Sequence, residues 1–249
     1  MAFSTRLPDP AYKRHFSGQN EGPSSAGDFG PGFASVKLTS DQKVMTSRTN
    51  SQRILAKAVA GQKWNIDIDY HPMTQAEFRP IDTFLQMKQG ALTSFDVALP
   101  QYNTPTNAGW VTDLATKTFT AQAIQPAGAT NVLIGGSGSY APNSAAYAPT
   151  NIPLPGEVFT ITDSNNSNHK KVYMITYVET NNIRSGPATG SNANLRLGIS
   201  PPLAKSVSSG ATFNFLNPLF KVVMPTAIRS YSLNTDNLYK FSLKLEEYI

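Results

Sequence analysis

The sequence contains no cysteine, and this absence excludes several classes of protein at once. A small domain stapled by disulfides, a thiolate nucleophile and a cysteine-ligated metal site all need that residue. No apolar run approaches the roughly 20 residues of a membrane-spanning helix, and the first residues, MAFSTRLPDPAYKRHF, contain no apolar signal core. We therefore expect no membrane span, and a protein made in the cytoplasm that leaves it, if at all, without a signal peptide.

Charge is also scarce, since charged residues make up only 15% of the chain against the usual quarter or so. The remainder is rich in Ser, Thr, Asn, Gly and Pro, with 13 Phe and 10 Tyr. Such a composition fits short strands joined by long loops, and 249 residues suffice for one large β domain or two smaller ones. It equally fits a surface covered by neighbouring subunits, because interface cores are depleted in charge.

The titratable residues form no catalytic or metal-binding pattern. His15, His71 and His169 are not spaced as metal ligands. Asp67 and Asp69 lie about 7 Å apart on one strand face, whereas the carboxylates of a glycosidase flank a bond and usually come from separate elements. The sequence therefore predicts that the protein is not an enzyme and has no catalytic, cofactor-binding or metal-binding residues.

The stretch from Ser51 to Pro100 organises the rest of the chain. Between Lys63 and Tyr70 apolar and polar residues alternate with period two, which predicts a strand with one dry and one wet face. Arg53–Ala60 is also strand-like, and Gly61-Gln62 can form a tight reversal. These features predict a long β-hairpin of residues 53–60 with residues 63–70.

A helix is predicted after this hairpin. Thr74 and Glu77 have the spacing of a capping box, and Gly90 is a plausible stop. Pro80 lies too deep for the first turn, so either the helix kinks there or a short turn precedes a helix that begins at Pro80. A strand follows at Phe95–Leu99. The apolar positions on one helical face are Phe78, Ile81, Phe84 and Leu85.

The remaining segments predict a divided chain. Residues 1–32 are expected to form an extended arm and loop, residues 33–100 with 203–249 a core β domain, and residues 101–202 an inserted module of short strands. The last strand, Leu238–Ile249, alternates and is expected to return to the core. The predicted fold is therefore mainly β with one short helix, built on a long hairpin plus that helix, with a small inserted β barrel or sandwich.

The order of features between residues 61 and 100 resembles a group of bacteriophage tail proteins of the distal-tail or baseplate type. In that group a Gly-Gln-x-Trp turn precedes a Tyr-x-Pro-Met/Leu-Thr step, a Glu-Phe-x-Pro helix start and a Phe-x-x-x-Leu-Pro strand. The C-terminal Leu-Tyr-x-Phe strand, followed by acidic residues, is similar too. The matching residues are Gly61, Gln62, Trp64, Tyr70, Pro72, Met73, Thr74, Glu77, Phe78, Pro80, Phe95, Leu99, Pro100, Leu238, Tyr239 and Phe241.

The resemblance implies a structural protein of the virion tail. It implies a tail-tube-like β fold and a six-fold ring of copies near the distal end of the tube, connecting tube to tip. The expected partners are other copies of this chain, the adjoining tail tube and baseplate or hub proteins, with DNA only in passing through the lumen. No cofactor is implied.

A basic arm between Val36 and Lys63 carries six Lys or Arg residues against one acidic residue, Asp41. Solvent, DNA in transit and an acidic neighbouring subunit are its three candidate partners. A strongly basic lumen would retard a moving polyanion, so we predict pairing with the next copy in the ring. The residues predicted for this interface are Arg48, Arg53, Lys57, Asp67, Asp69, Glu246 and Glu247.

A second function stays open for the insertion. Its charge-poor sequence contains Trp110, Tyr140 and Tyr147, which could stack on sugar rings. The alternative is therefore a host-surface or carbohydrate-binding virion protein that uses residues 101–202.

Overall fold

The computed structural model describes residues 5–11, 13–14, 28–58, 61–136, 151–166, 169–179, 194–226 and 230–248. Strands account for 44% of the structure and helices for 14%, so the prediction of a mainly β fold is confirmed. In the described part of the chain no helix is both long and apolar enough to cross a membrane.

The chain divides into two compact units. The first comprises Met1–Val97 and Lys221–Ile249, and the second comprises Ala98–Phe220. The sequence-based division ended the insertion at residue 202, whereas the structure keeps residues 203–220 with the second unit. The reason is that the strand Thr212–Asn214 pairs within the sheet of that unit.

The elements of the first unit alternate between strands and a single long helix. They are β1 Lys13–Arg14, β2 Asp28–Phe29, β3 Phe33–Asp41, β4 Val44–Arg48, β5 Ile54–Ala58, β6 Lys63–Tyr70, α1 Gln75–Lys88 and β7 Phe95–Ala98. Three later strands complete the main sheet of this unit: β14 Leu219–Val223, whose first two residues are counted with the second unit, β15 Tyr231–Leu233 and β16 Tyr239–Glu247.

The elements of the second unit begin with helices and continue as strands. They are a short 3-10 helix at Pro100–Tyr102, α2 Ala108–Thr116, β8 Phe119–Ala121, β9 Asn131–Gly136, β10 Val158–Thr162, β11 Val172–Glu179, β12 Asn194–Ser200 and β13 Thr212–Asn214.

The main sheet of the first unit runs in the order β3-β6-β16-β14-β7, with β15 paired to β16. In β6 the residues Trp64, Ile66, Ile68 and Tyr70 are buried, and the residues between them face outward, as the alternation predicts. β16 alternates in the same way and pairs antiparallel with β6, with Leu243 opposite Ile68. The predicted return of the last strand to the core is therefore observed.

The predicted hairpin partner of β6 is wrong. β6 pairs with β3 from Phe33↔Tyr70 to Asp41↔Lys63, while β5 pairs with β4 from Val44↔Ala58 to Arg48↔Ile54. The hairpin is thus β3–β6, with the two-stranded β4–β5 ribbon inserted between its strands.

Helix α1 begins at Gln75 and runs through Pro80, which excludes the alternative in which the helix begins at Pro80. Glu77 Oε2 accepts hydrogen bonds from the amide and the hydroxyl of Thr74, both at 2.8 Å. These bonds hold the pKa of Glu77 below its usual value. The helix ends at Lys88, where Gln89 (φ 52°) and Gly90 (φ 70°) adopt the left-handed conformation.

Aromatic contacts fix α1 on the buried face of the sheet. Phe78 packs edge-on against Phe241, with ring centroids 5.7 Å apart, and Phe84 meets Phe95 at 5.2 Å. The segment Thr5–Asp9 covers the edge of β7, since the amide of Leu7 donates to Asp96 and that of Asp96 donates to Thr5. The first unit therefore has one of its sheet edges covered by its own N-terminal segment.

The second unit contains a closed barrel with the strand order β10-β11-β12-β9-β8-β13. Its interior is filled by aliphatic and aromatic side chains, among them Phe159, Tyr173 and Phe215. The prediction of a barrel or sandwich in this region is thus met by a barrel. The prediction of one helix in the whole chain is wrong, because residues 108–116 form α2, capped by Asn107, which accepts from the amides of Gly109 and Trp110.

Candidate subunit-interaction surface

The β4–β5 ribbon, residues 44–58, is the most exposed element of the first unit. Every residue of β4 is exposed, and Met45 (67% exposed) and Ile54 (59%) are large apolar side chains held in water. Within the described chain, each of these strands pairs only with the other. A two-stranded ribbon alone is marginally stable in water, so this element is better suited to a bound state than to free exposure.

The tip of the ribbon is a defined turn. The amide of Thr49 donates to the carbonyl of Arg53 at 3.0 Å, and the amide of Gln52 donates to Thr49 at 2.9 Å. Gln52 takes a left-handed conformation with φ 64°, and the Thr49 hydroxyl accepts from the amide of Arg53 at 3.2 Å. These bonds position the two strands in register, although no other described strand pairs with them.

The ribbon is uniformly basic. Lys43, Arg48, Arg53 and Lys57 lie in or beside it, and the sequence from residue 42 to residue 62 contains no Asp or Glu. The three predicted interface residues Arg48, Arg53 and Lys57 are all exposed. The structure thus brings these cations together on one exposed element, as the sequence suggested, although the strand that carries Lys57 pairs with β4 and not with β6 as predicted.

The predicted acidic partners lie on the main sheet, but they are not equivalent. Asp69 is exposed and accepts from the Ser35 hydroxyl at 2.8 Å. Asp67 is half-buried and stands opposite Lys37 on one side and Lys244 on the other. Both carboxylates lie on the outward face of the sheet, where opposed residues of neighbouring strands share a face.

The two C-terminal carboxylates are engaged within the chain. Glu246 forms an ion pair with Lys63. Glu247 is only 1% exposed, and its Oε2 accepts from the amide of Trp64 at 3.2 Å. Glu247 is therefore a buried structural carboxylate and cannot meet a neighbouring copy. Asp67 and Asp69 are the predicted acidic partners that remain accessible without breaking an ion pair.

The edge strand β3 adds a second open surface. It pairs with β6 alone among the described strands. Its inward-facing residues Phe33, Val36 and Leu38 remain half-buried, although they stand opposite the buried Tyr70, Ile68 and Ile66. The apolar face of the sheet is therefore incompletely covered at this edge. Sequence reasoning missed this surface, because alternation identifies faces but does not identify edge strands.

The residues proposed for sugar stacking are not available as a set. Trp110 is 0% exposed and packs on Phe119 at 4.4 Å and edge-on against Phe215 at 5.3 Å inside the barrel unit. The prediction that Trp110 stacks on a ligand is therefore wrong, and its role is to fill the core. Tyr140 and Tyr147 lie outside the described residues.

The barrel unit contains an open cleft of about 290 Å³ lined by residues that include Tyr102, Thr104, Leu154 and Glu157. The carboxylate of Glu157 is buried and accepts from the amides of Thr106 at 2.8 Å and Leu154 at 3.1 Å. Its oxygens therefore fasten two loops together. The part of the chain that the structure describes brings together no three His, Asp or Glu side chains that could hold a metal ion.

A buried polar cluster in the barrel unit was not predicted. His169 Nε2 lies 2.9 Å from the hydroxyl of Tyr173, which also accepts from the amide of Ala204 at 3.0 Å. Burial lowers the pKa of His169 to about 4, with Asp163 opposing and Lys205 adding to that shift. Burial raises the pKa of Asp163, but hydrogen bonds led by the amides of Ser208 and Asn165 outweigh it and leave that pKa lowered.

A family model of known proteins matches part of the chain. Residues 22–102 match the family model described as distal tail protein pb9, A domain, N-terminal. No curated protein matches the chain. The matched range includes β3, the β4–β5 ribbon, β6, α1 and β7. The match supports a structural role in a phage tail, and the resemblance of this chain to bacteriophage distal tail proteins, predicted from the sequence, is thereby confirmed.

Proposed function

We propose that this protein is a ring-forming structural subunit at the distal end of a phage tail, where it connects the tail tube to the tip. The observation that carries the proposal is the coincidence of two facts. The matched region, residues 22–102, contains an exposed basic ribbon that has no packing partner among the described elements. A ribbon of this kind gains a packing partner when subunits associate.

Electrostatics supports association between copies. The exposed cations Arg48, Arg53 and Lys57 would meet the carboxylates Asp67 and Asp69 of the next copy. Each such pair at the rim of an interface contributes at most about 1 kcal/mol. A ring repeats the pairs at every junction, and charge complementarity also fixes the register of the contact. The proposed partners are therefore other copies of this chain in a six-fold ring, flanked by tail tube and baseplate or hub proteins.

The proposed role is geometric and involves no catalysis. DNA would pass through the ring without being held. The protein would be made in the host cytoplasm and incorporated into the virion tail.

The test is the state of the purified full-length protein. Mass measurement by light scattering and negative-stain images over a series of concentrations should show closed rings of uniform size. Rings that are absent at every concentration, both alone and with isolated tail tubes as a template, would contradict ring formation. Open filaments in place of rings would contradict closure but keep the contact between copies.

A further inference from the structure

We infer that the β4–β5 ribbon of one copy adds to the free edge of strand β3 in a second copy. The inference rests on the proposed function, since it specifies the contact that would build the ring. Its starting point is that one chain exposes two unsatisfied β surfaces. The ribbon has no packing partner among the described elements, and β3 has a strand on one side only.

Sheet edges of this kind are normally blunted or covered, because their free amides and carbonyls pair readily with another strand. The opposite edge, at β7, follows that rule, since the N-terminal segment covers it through Leu7 and Thr5. β3 has nine residues and lacks such a cover in the described structure. A partner that supplies a strand would satisfy its backbone groups.

The apolar side chains of the two surfaces complement each other. The inward face of β3 leaves Val36 and Leu38 half-buried. In a two-stranded ribbon, directly opposed residues share a face. By this rule the β4–β5 ribbon has apolar residues on both of its faces. Met45 and Leu55 lie on one face, and Val44 and Ile54 lie on the other. Whichever face turns inward, it can extend the core of the sheet past its edge.

The charges favour the same arrangement. The ribbon carries only cations, whereas the outward face beside β3 carries Asp41, Asp67 and Asp69. Three lysines share that face. Lys37 and Lys244 stand opposite Asp67, and Lys63 forms an ion pair with Glu246. Asp41 and Asp69 are therefore the carboxylates best placed to meet the cations of a second copy. A nucleic acid would satisfy the cations of the ribbon but would leave Met45 and Ile54 exposed. A second copy of this chain covers both the charged and the apolar groups.

The contact joins two different surfaces, so it is heterologous. A heterologous contact repeated by rotation generates a ring when the rotation closes and a filament when it does not. A self-complementary pairing of two ribbons would instead stop at a dimer. The ribbon-to-β3 contact therefore gives the type of assembly that the proposed function requires.

The absence of cysteine in the native sequence makes cross-linking a direct test. A mass-tagged Ser47→Cys chain is mixed with an untagged Thr39→Cys chain and treated with a short thiol cross-linker. A mixed dimer is expected, because Ser47 lies on the ribbon and Thr39 on β3, and both are exposed. The matched control pairs Ser47→Cys with Thr83→Cys, an exposed position on α1, and should lose the mixed dimer.

A second variant tests the apolar contribution. Met45→Ser with Leu55→Ser should raise the concentration needed for half-assembly by about tenfold or more, while the thermal melt of the subunit changes little. The control is Leu92→Ser, an apolar residue that is 76% exposed and lies in the turn after α1.

The possible outcomes separate the two claims. Two results would overturn the ribbon-to-β3 contact and leave the proposed function standing. In the first, rings form but Ser47→Cys and Thr39→Cys do not cross-link. In the second, rings form and Ser47→Cys cross-links equally well to Thr83→Cys. A mixed dimer formed by Ser47→Cys and Thr39→Cys alone would support the contact. If neither rings nor this cross-link form at the highest soluble concentration, both the ribbon-to-β3 contact and the proposed function are overturned.

Discussion

Acidification should weaken the barrel unit through a single histidine. His169 is 3% exposed and lies 2.9 Å from the Tyr173 hydroxyl. That hydroxyl already accepts from the amide of Ala204, so its own proton points to an unprotonated Nε2. Protonation of the ring removes this acceptor and places a charge in a buried site. The folded state therefore disfavours the imidazolium form.

The sign and size follow from the pKa of His169. Its folded value of about 4 lies below the ordinary value of 6.5. The unfolded chain therefore binds the proton more readily, and the stabilisation present above pH 6.5 is lost as the pH falls towards 4. Between pH 7 and pH 5 we expect a loss of about 1–2 kcal/mol, allowing for screening by solvent.

The assay is urea unfolding of the full chain at pH 7 and pH 5. Trp110 fluorescence in a Trp64→Phe background reports the barrel unit, because Trp110 is buried in its core. His169→Asn should abolish the difference between the two pH values, and His71→Asn, at an exposed position, should keep it. An equal pH effect in the wild type and in His169→Asn would refute this reasoning.

Three further predictions concern the first unit, the division of the chain and the ribbon. Gly30→Ala should destabilise the protein by about 1–3 kcal/mol in chemical denaturation, because a Cβ there would lie 2.4 Å from backbone atoms of Pro8 and Asp9. The control is Gly32→Ala, whose Cβ would have no neighbour nearer than 4.0 Å. Equal effects of the two substitutions would contradict the packing argument. Replacing residues 99–218 by a Gly/Ser linker should leave a first unit that unfolds cooperatively by circular dichroism, whereas an unfolded remainder would contradict its independence. Arg53→Glu with Lys57→Glu should block ring assembly of folded protein as measured by light scattering. Adding a second chain that carries Asp67→Lys with Asp69→Lys should restore assembly in part. Unchanged assembly of the Arg53→Glu, Lys57→Glu protein would show that the ribbon is a solvated face.

Local patterns predicted individual elements well. The alternation of β6 and β16 identified their buried residues, because burying one face of a strand requires period two. The apolar spacing in α1 likewise identified Phe78, Ile81, Phe84 and Leu85 as its buried side. In each case the signal lies within about fifteen consecutive residues of sequence.

Partners and exposure depend on long-range packing and were harder to predict. Gly61-Gln62 suggested that β6 folds back on β5, but β6 pairs with β3 instead. In the alternative function Trp110 was a candidate for stacking on sugar rings, yet it lies on α2 in the barrel core. The signal for α2 was Asn107 as N-cap with Trp110 and Leu114 four residues apart, and the Gly and Thr residues around them obscured it.

The interface prediction divides in the same way. The local distribution of charge identified the basic ribbon, because a run of four cations without an acidic residue is visible in the sequence. The burial of the Glu247 carboxylate could not be predicted from the sequence, because its hydrogen bond with the amide of Trp64 depends on the pairing of β16 with β6. A charged residue at an inward-facing position of β16 was the available hint.

The central claim is that the protein forms a ring at the distal end of a phage tail. Gold-labelled antibody against the protein, imaged on intact virions by electron microscopy, tests it most directly. The account predicts label confined to the end of the tail that is farthest from the capsid. Label along the whole tube or on the capsid, with the distal end bare, would contradict it.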